Sequence, residues 1–430
     1  MTLLKFNEKA HIFLTGLICF LLTAYPDILP PLIVLLTVNW LCAPKLILQG
    51  FKNIVKNPSL QMMILLYLLY LAGMLYSANT KDASQTVETK LSFLIFPLVF
   101  SPYAEVTKIN LNKYLKLFIY GSIISSVFRL GWAFYCFAKP VYVVLYGVPY
   151  DLGASNFYYT QLSVFFHPSY LALYNVFALM SIVHLINAGE LKLNWKWIAA
   201  IFLFVIFIML LSSKAGWIGL ILFVLYFSRW LVLKKKIVQT MAMLVMIIGL
   251  FSFLNIYFTP RFLTRIPKLS IITEAIKGSG DDNKKITTSS DGTGSRILVW
   301  KAAIDIIKNN FWIGVGTGDA KDTMLEKYKE KGMTYEYENK LNSHNQYLNT
   351  FIALGFIGFF VLLLCFAVPL YFSYHEKTML FASFIIVVGI NFLFESMLER
   401  QEGVIFYAFF YTLLCFTLPS LNPQSQISKK

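Results

Sequence analysis

The stretch "NKLNSHNQYLNTFIALGFIGFFVLLLCF", residues 339–366, places a polar segment directly before an apolar run. A bilayer-spanning helix needs roughly 20 predominantly apolar residues, and this run is long enough. Ser343, followed three residues later by Gln346, is a capping-box pattern that predicts a helix with Ser343 as its N-cap and His344 as its first residue. The positive end of the helix dipole would disfavour protonation of the imidazole there. Either His344 accepts a proton in a reaction, or it is an interfacial polar residue without a role.

Composition indicates the class of protein. The chain has 430 residues, of which 57% are hydrophobic and 14% are charged, far from the balance of a soluble domain. We therefore predict an all-α integral membrane protein: one polytopic domain over residues 1–430, built as a bundle of about twelve transmembrane helices. The first apolar run has no cleavage site after it and is interpreted as a retained helix. The apolar runs lie near 11–27, 29–43, 60–77, 90–104, 114–137, 168–187, 196–213, 215–233, 237–257, 346–372, 378–394 and 403–419.

The distribution of Lys and Arg predicts the orientation of these helices. With a cytoplasmic N-terminus, most basic residues fall in inside loops and tails, as the positive-inside rule requires. The short outside loops hold only Lys81, Lys90, Lys139, Lys214 and Arg400. Both termini are therefore predicted to be cytoplasmic. Much of the net charge of +15 is this topological bias, so we infer contact with membrane lipids and no nucleic-acid partner.

One connection is much longer than the others. Residues 258–345 form a polar excursion on the outside, and loops of this size are usually functional or disordered. Its middle, "KGSGDDNKKITTSSDGTG" (277–294), has the composition of a mobile flap. Apolar residues then recur at helical spacing, which predicts two external helices near 295–309 and 320–331.

The run "VGTGD", residues 315–319, is open to two interpretations. Its backbone N–H groups, including those of Gly316 and Gly318, could form a phosphate-binding nest at a helix N-terminus. A plain turn with Thr317 or Asp319 as helix cap explains it equally well. The five cysteines show neither a disulfide framework nor metal-ligand spacing, and no cofactor motif is found, so we expect neither metal nor cofactor.

Three polar residues from separate parts of the chain are predicted to share the outer face: Lys214, Arg296 and His344. Two cations and a neutral imidazole would suit transfer from a lipid pyrophosphate. The cations would offset charge on the departing diphosphate, while the base takes a proton from an attacking hydroxyl. His167 and Tyr170 are accessory candidates on the same face, although Pro168 argues as readily for a simple helix start.

Charges inside or beside apolar runs are a further group of candidates, because such charges are functional by default. Arg129 lies inside the fifth run, where it could instead serve only to pair with a carboxylate. The outer end of the eleventh run carries Glu395, Glu399, Arg400 and Glu402.

These motifs carry a resemblance. The ordered set "SSKAGWIGL" (212–220), "SRILVWKAAIDIIKNNFWIGVGTG" (295–318) and "NSHNQYLNTFIALGFIGFF" (342–360) resembles the O-antigen ligase and O-antigen polymerase superfamily of bacterial membrane glycosyltransferases. The resemblance implies that Lys214 and Arg296 engage the undecaprenyl diphosphate of a donor, and that His344, paired with Asn345, activates the acceptor hydroxyl. The family usually has Arg where this chain has Lys214, and Lys cannot clamp phosphate bidentately.

The leading functional hypothesis is thus a metal-independent glycan transferase at the periplasmic face of the bacterial inner membrane, with lipid A core or a similar lipid or glycan as acceptor. A polymerase that joins repeat units would use much the same residues. A flippase of lipid-linked sugars is the rival from another class, but transporters concentrate charge near the membrane centre, and this chain places its polar groups at one face.

Overall fold

The computed structural model describes residues 3–138, 144–145, 148–149, 154–233 and 292–418. The predicted run 237–257 and the flap residues 281–291 lie outside this part of the chain. The described residues are mainly helical, as predicted. The helices are α1 Leu3–Leu21, α2 Leu29–Leu41, α3 Pro44–Val55, α4 Pro58–Met74, α5 Thr80–Thr89, α6 Ser92–Phe100, α7 Ala104–Ala138, α8 Tyr159–Ser163, α9 Pro168–Asn187, α10 Trp195–Leu210, α11 Lys214–Leu233, α12 Gly292–Asn309, α13 Ala320–Glu330, α14 Thr334–Glu338, α15 Gln346–His375, α16 Met379–Phe394 and α17 Gln401–Cys415.

Other regular structure in the described residues is short. Two strands of two residues each, Val144–Leu145 and Val148–Pro149, pair antiparallel. Single 3₁₀ turns connect several helices, at Pro26–Ile28, Ser101–Tyr103, Ala154–Phe157 and Met397–Glu399.

Three helical segments are long and apolar enough to cross a membrane: Thr80–Ala138, Pro168–Asn187 and Gln346–His375. A fourth span is possible if α2 and α3 count together, although they are bent by 105°. Five shorter apolar helices accompany them in the described residues. The helical membrane architecture is confirmed at this level, and the count of about twelve spans stays a prediction.

Several boundaries differ from the expected ones: α1 is Leu3–Leu21 where the run 11–27 was predicted, and two further differences change the connections. The predicted runs 90–104 and 114–137 were separated by a polar connection, yet the helix Ala104–Ala138 continues through it. Lysines at positions 108 and 113 do not interrupt it because Lys is compatible with helical backbone. Second, Pro44–Val55 is a helix in its own right and not part of a loop.

The described residues group into two compact units. The first comprises Met1–Tyr67, Thr89–Phe223 and Val361–Lys430, and the second Leu68–Glu88 and Val224–Phe360. In the first unit, α9 and α17 are almost completely buried. Phe177 and Phe410 pack with ring centroids 4.6 Å apart, and Phe118 packs on Phe410 at 4.8 Å. In a membrane, such close packing is a main source of helix association.

Arg129 lies in α7 and is 2% exposed. Among the described residues, none of its hydrogen bonds goes to a carboxylate. Its guanidinium donates to the carbonyl oxygens of Ser163 at 3.1 Å and Ala24 at 3.2 Å, and it lies 5.2 Å from the ring centroid of Phe166. It also contacts Ser125. Backbone carbonyls therefore satisfy this buried charge and join three segments of the first unit.

In the second unit, α15 is interrupted at Gly355, which has φ +62° and ψ −160°. The segment that follows α12 pairs with the interrupted backbone: the Phe356 N–H donates to the Phe311 carbonyl at 2.7 Å, and the Val315 N–H donates to the Ile352 carbonyl at 2.9 Å. The predicted run 346–372 is thus two helical pieces, and backbone groups at the break bond to the segment that follows α12.

The end of α4 holds the next part of this segment. The Thr317 hydroxyl donates to the Tyr70 carbonyl at 2.7 Å. The carboxylate of Asp319 accepts the N–H groups of Ala78 at 2.8 Å and Asn79 at 2.7 Å, directly before α5 begins. The negative charge of Asp319 interacts favourably with the N-terminus of α5 and stabilises this arrangement. The loop after α12 is therefore built into the second unit.

Candidate functional site

In the second unit, α12 is tied to the turn that carries His344. The indole N–H of Trp300 donates to the carbonyl oxygen of Ser343 at 2.9 Å. Arg296 lies four residues before Trp300, on the same face of α12, since residues at this spacing are helix neighbours. Both side chains are half-buried. The helix face that carries Arg296 is thus hydrogen-bonded to Ser343, the residue directly before His344.

His344 adopts a left-handed backbone conformation, with φ +45°. Its N–H donates to Asn342 Oδ1 at 3.0 Å. The buried hydroxyl of Ser343 donates to the Asn345 carbonyl at 2.8 Å. Such backbone is costly for a residue with a Cβ and persists only where the surroundings determine it. The turn therefore holds the half-buried imidazole in one backbone geometry.

The predicted capping box is wrong. The helix begins at Gln346, and Asn345 is its cap, because Asn345 Oδ1 accepts the Leu348 N–H at 3.1 Å. His344 accordingly lies two residues before the first helical residue, so the dipole argument applies to it less strongly than expected. Ser343 uses its hydroxyl within the turn instead.

The carboxylate of Glu336 is buried at the start of α12, and the sequence analysis did not identify it. Ser295 Oγ donates to Glu336 Oε1 at 2.7 Å, and the two residues are 4% and 0% exposed. Burial and the nearby Glu336 carboxylate raise the pKa of Tyr328, so its phenol remains a donor and bonds the Leu341 carbonyl at 3.0 Å. Glu336 thus braces the start of α12, next to Arg296.

The backbone N–H groups of the 315–319 loop are used within the protein. The Gly316 N–H donates to the Ala353 carbonyl at 3.0 Å, and the Gly318 N–H donates to Ser77 Oγ at 3.0 Å. The N–H of Thr317 donates to the Gly73 carbonyl at 3.3 Å. This geometry favours the turn over the phosphate nest, because the N–H groups of Gly316 and Gly318 already have partners within the protein.

In the first unit, Lys214 opens α11 and is exposed. The preceding Ser213 is buried and accepts the Gly216 N–H at 3.3 Å. Ser213 Oγ also donates to Ser169 Oγ at 2.9 Å. This bond joins the start of α11 to the start of α9.

His167 and Tyr170 lie at that same helix start, with ring centroids 5.1 Å apart. His167 precedes Pro168, which occupies the first helical position as the simple helix-start interpretation predicts. The Tyr170 hydroxyl donates to the Ser396 carbonyl at 3.4 Å, and Ser169 Oγ donates to Glu395 Oε1 at 3.3 Å. The acidic stretch that begins at Glu395 therefore contacts the start of α9, where His167 and Tyr170 lie.

A buried ion pair lies in this unit as well. Lys90 is completely buried, and its ammonium lies 3.1 Å from Glu399 Oε1, whose side chain is 28% exposed. Arg400 and Glu402 approach to 3.8 Å. The sequence placed these groups near one face, but it gave no signal for which charges pair.

The structure thus brings the candidates together in two groups. Lys214, His167 and Tyr170 share the first unit, and Arg296 and His344 share the second. Within the described ranges, no three His, Cys, Asp or Glu side chains cluster in a way that could hold a metal ion.

Residues 199–363 match the sequence profile of the family described as O-antigen ligase. All three predicted functional residues, Lys214, Arg296 and His344, fall inside this range. The resemblance drawn from the motifs is confirmed here as a match of residues 199–363 to the O-antigen ligase family.

Two curated relatives are similar over part of the chain. An uncharacterized protein of Haemophilus influenzae is 25% identical over 255 residues, which cover 56% of this chain and 60% of the relative. A ComP-specific O-oligosaccharyltransferase of Acinetobacter baylyi is 27% identical over 227 residues, which cover 50% of this chain and 36% of the relative. The chain therefore spans less than two thirds of each relative.

Proposed function

We propose that this protein transfers a glycan from undecaprenyl diphosphate to an acceptor hydroxyl, such as one of lipid A core, at the periplasmic face of the bacterial inner membrane. The observation that carries the proposal is the match of residues 199–363 to the O-antigen ligase family, with Lys214, Arg296 and His344 inside it.

The chemistry requires one bond to form as another breaks. The acceptor oxygen attacks the anomeric carbon of the donor sugar, and the bond from that carbon to the diphosphate oxygen breaks. His344 takes the hydroxyl proton as general base, and the diphosphate leaves with the electron pair. Arg296 offsets the growing negative charge, for which its planar guanidinium is suited.

Lys214 is assigned to the same diphosphate by the family motif. An ammonium supplies charge without bidentate geometry, so its contribution would be mainly electrostatic. His167, Tyr170 and Asn345 are accessory in this proposal. Asn345 acts by capping α15 behind the histidine.

Two other functions are distinguishable by experiment. A polymerase would add one repeat unit to another, and the same site chemistry would serve it. A flippase would move the lipid-linked donor across the bilayer without breaking a glycosidic bond. Arg296 and His344 are both half-buried, and the Trp300–Ser343 hydrogen bond joins the segments that carry them, which favours a reaction site over a transport path.

The direct test uses purified protein in nanodiscs, a lipid-linked oligosaccharide donor, and three acceptors offered separately: lipid A core, a second donor molecule, and a glycan-free lipid. Mass spectrometry reads the products. Transfer to lipid A core supports the ligase, and elongated donor supports the polymerase. Transbilayer movement of intact donor in liposomes, without a new glycosidic bond, would contradict the proposal.

Metal independence is part of the proposal, because the assigned roles need only side chains. Full transfer should persist after treatment with EDTA, measured with and without added Mg²⁺. Loss of transfer on chelation, restored by Mg²⁺, would show that a metal is needed.

The predicted location has its own test. Single cysteines placed at positions 281–291 in a chain without native cysteines should react with a membrane-impermeant thiol reagent from the periplasm. Labelling from the cytoplasm alone would reverse the topology and contradict every site assignment made here.

A further inference from the structure

A cavity of about 610 Å³ opens in the first unit, among α3, the start of α7 and the end of α17. Four charged side chains line it: Lys56, Lys108, Glu8 and Glu105. None of them belongs to the candidate functional site. The two positive charges and the two negative charges give the cavity lining a net charge of zero.

The remaining wall is partly polar and partly apolar. Gln49, Asn53 and Asn57 contribute amides, whereas Phe372 and Leu418 contribute apolar surface. A wall of this mixed character is suited to an amphiphile, whose polar and apolar parts need separate surroundings.

Within the described part of the chain, a buried hydroxyl of the cavity wall lacks a hydrogen-bond partner. Tyr103 is 3% exposed and lines the cavity, and its hydroxyl has no hydrogen bond among the described residues. Its ring stacks on His11 at 4.3 Å. Buried hydroxyls are nearly always hydrogen-bonded, so a polar group of a ligand in the cavity would give this hydroxyl a partner.

Helix α3 has the residue pattern of a helix that lies among lipid headgroups. At 100° per residue, Gln49 and Asn53 share its cavity face, whereas Leu48 and Val55 share a different face and are 72% and 73% exposed. Lys52 is exposed beside that apolar face. A helix with exposed apolar and basic faces lies in the membrane interface. In the predicted topology, this is the cytoplasmic interface.

We propose that the cavity binds a phospholipid with a phosphoethanolamine headgroup. Lys56 and Lys108 bind the phosphate, Glu8 and Glu105 accept N–H bonds from the ammonium, and an acyl chain follows the apolar face of α3. The balanced charges favour a zwitterion over an anionic lipid. A choline headgroup has no N–H donor for the carboxylates, so it binds less well.

Delipidated, full-length protein in detergent provides the test, with native mass spectrometry to count bound lipid and thermal unfolding to measure stabilisation. Phosphatidylethanolamine should bind about tenfold more tightly than phosphatidylcholine or phosphatidylglycerol. The Glu8→Gln/Glu105→Gln protein should lose this preference, and the Lys56→Gln/Lys108→Gln protein should bind neither zwitterionic lipid. Lys52→Gln, on α3 but outside the cavity wall, is the matched control and should bind as the parent does.

Equal binding of the three lipids, or unchanged binding by both double variants, would overturn the proposal. If a double variant unfolds, lipid binding is measured with the single variants Glu105→Gln and Lys108→Gln, because both side chains are exposed at the start of α7. Chain-free glycerophosphoethanolamine should bind at least tenfold more weakly than the lipid, and equal binding would exclude a lipid site.

The other possible occupant is residues 419–430 of this chain, which lie outside the described part. A photoreactive amino acid at Asn57 should cross-link to phosphatidylethanolamine. Cross-linking to peptide 419–430 in the presence of that lipid would overturn the proposal.

Discussion

The indole N–H of Trp300 donates a hydrogen bond to the carbonyl oxygen of Ser343 at 2.9 Å. This bond connects residues 43 positions apart, and it links the helix that carries Arg296 to the turn that carries His344. Since His344 holds a left-handed backbone conformation, the position of its imidazole depends on this turn. We infer that Trp300 is a positioning residue.

Replacing Trp300 by Phe removes the N–H donor and keeps an aromatic ring. The lost bond is worth about 1 kcal/mol, and we expect kcat to fall roughly three- to tenfold with KM for the donor little changed. Trp312→Phe, at a site that is 67% exposed, is the matched control. A Trp300→Phe protein with parental kcat would contradict the positioning role.

Replacing His344 by Ala should reduce glycan transfer by ~10²–10⁴-fold, the usual contribution of a positioned general base. Donor binding should persist because the diphosphate is assigned to other residues. His375→Ala, at the exposed far end of α15, should be close to parental. Membrane abundance is measured alongside, and an abundant His344→Ala protein with parental transfer rate would exclude His344 as the base.

Arg296→Ala should raise KM for the donor and lower kcat, because the charge meets the diphosphate before and during its departure. Lys308→Ala, exposed on the same helix, serves as control. Steady-state kinetics with lipid-linked donor measure both constants. An effect on stability alone, with both constants unchanged, would remove Arg296 from the site.

Lys214→Arg should be tolerated or should increase transfer, since it restores the family's usual residue, whereas Lys214→Ala should be damaging. Joint action on one diphosphate predicts that the Lys214→Ala/Arg296→Ala protein loses less than the sum of the two single effects. Strict additivity of the two free-energy losses would argue that the residues act on separate groups.

Gly355→Ala should destabilise the protein. The residue has φ +62°, and an added Cβ would clash with the backbone nitrogen of Ile313. The expected loss exceeds ~1 kcal/mol and would be seen as a lower unfolding temperature in detergent. Gly131→Ala, in α7 with no atom within 4 Å of the new Cβ, should unfold at or above the parental temperature. Equal unfolding temperatures of the two variants would contradict this view of the break.

Local patterns predicted the two helices after residue 291 well. The ranges 295–309 and 320–331 correspond to Gly292–Asn309 and Ala320–Glu330, because apolar spacing and flanking glycines act within a few residues. The class of protein followed from composition alone, since a long apolar run has few alternatives to a membrane helix.

Tertiary contacts decided what the patterns left open. Ser343 and Asn345 are both acceptable caps, and the choice of Asn345 accompanies the contact of Trp300 with the turn. Glu336 could not be assigned from sequence, because its partner Ser295 lies 41 residues away. The break at Gly355 was hidden because glycine is common in membrane helices.

The break in α15 also determines how this protein can be recombined with its relatives. The chain after α12 completes the hydrogen bonding of the interrupted membrane helix through Phe311 and Val315, and its next residues bond to the end of α4. A chimera that exchanges the segment after α12 for one with a different backbone path would leave backbone groups of the interrupted helix without partners. The unit that can be exchanged is therefore discontinuous in sequence. It comprises residues 70–79, residues 311–319 and the start of α15 as far as Phe356, and these must be transplanted together.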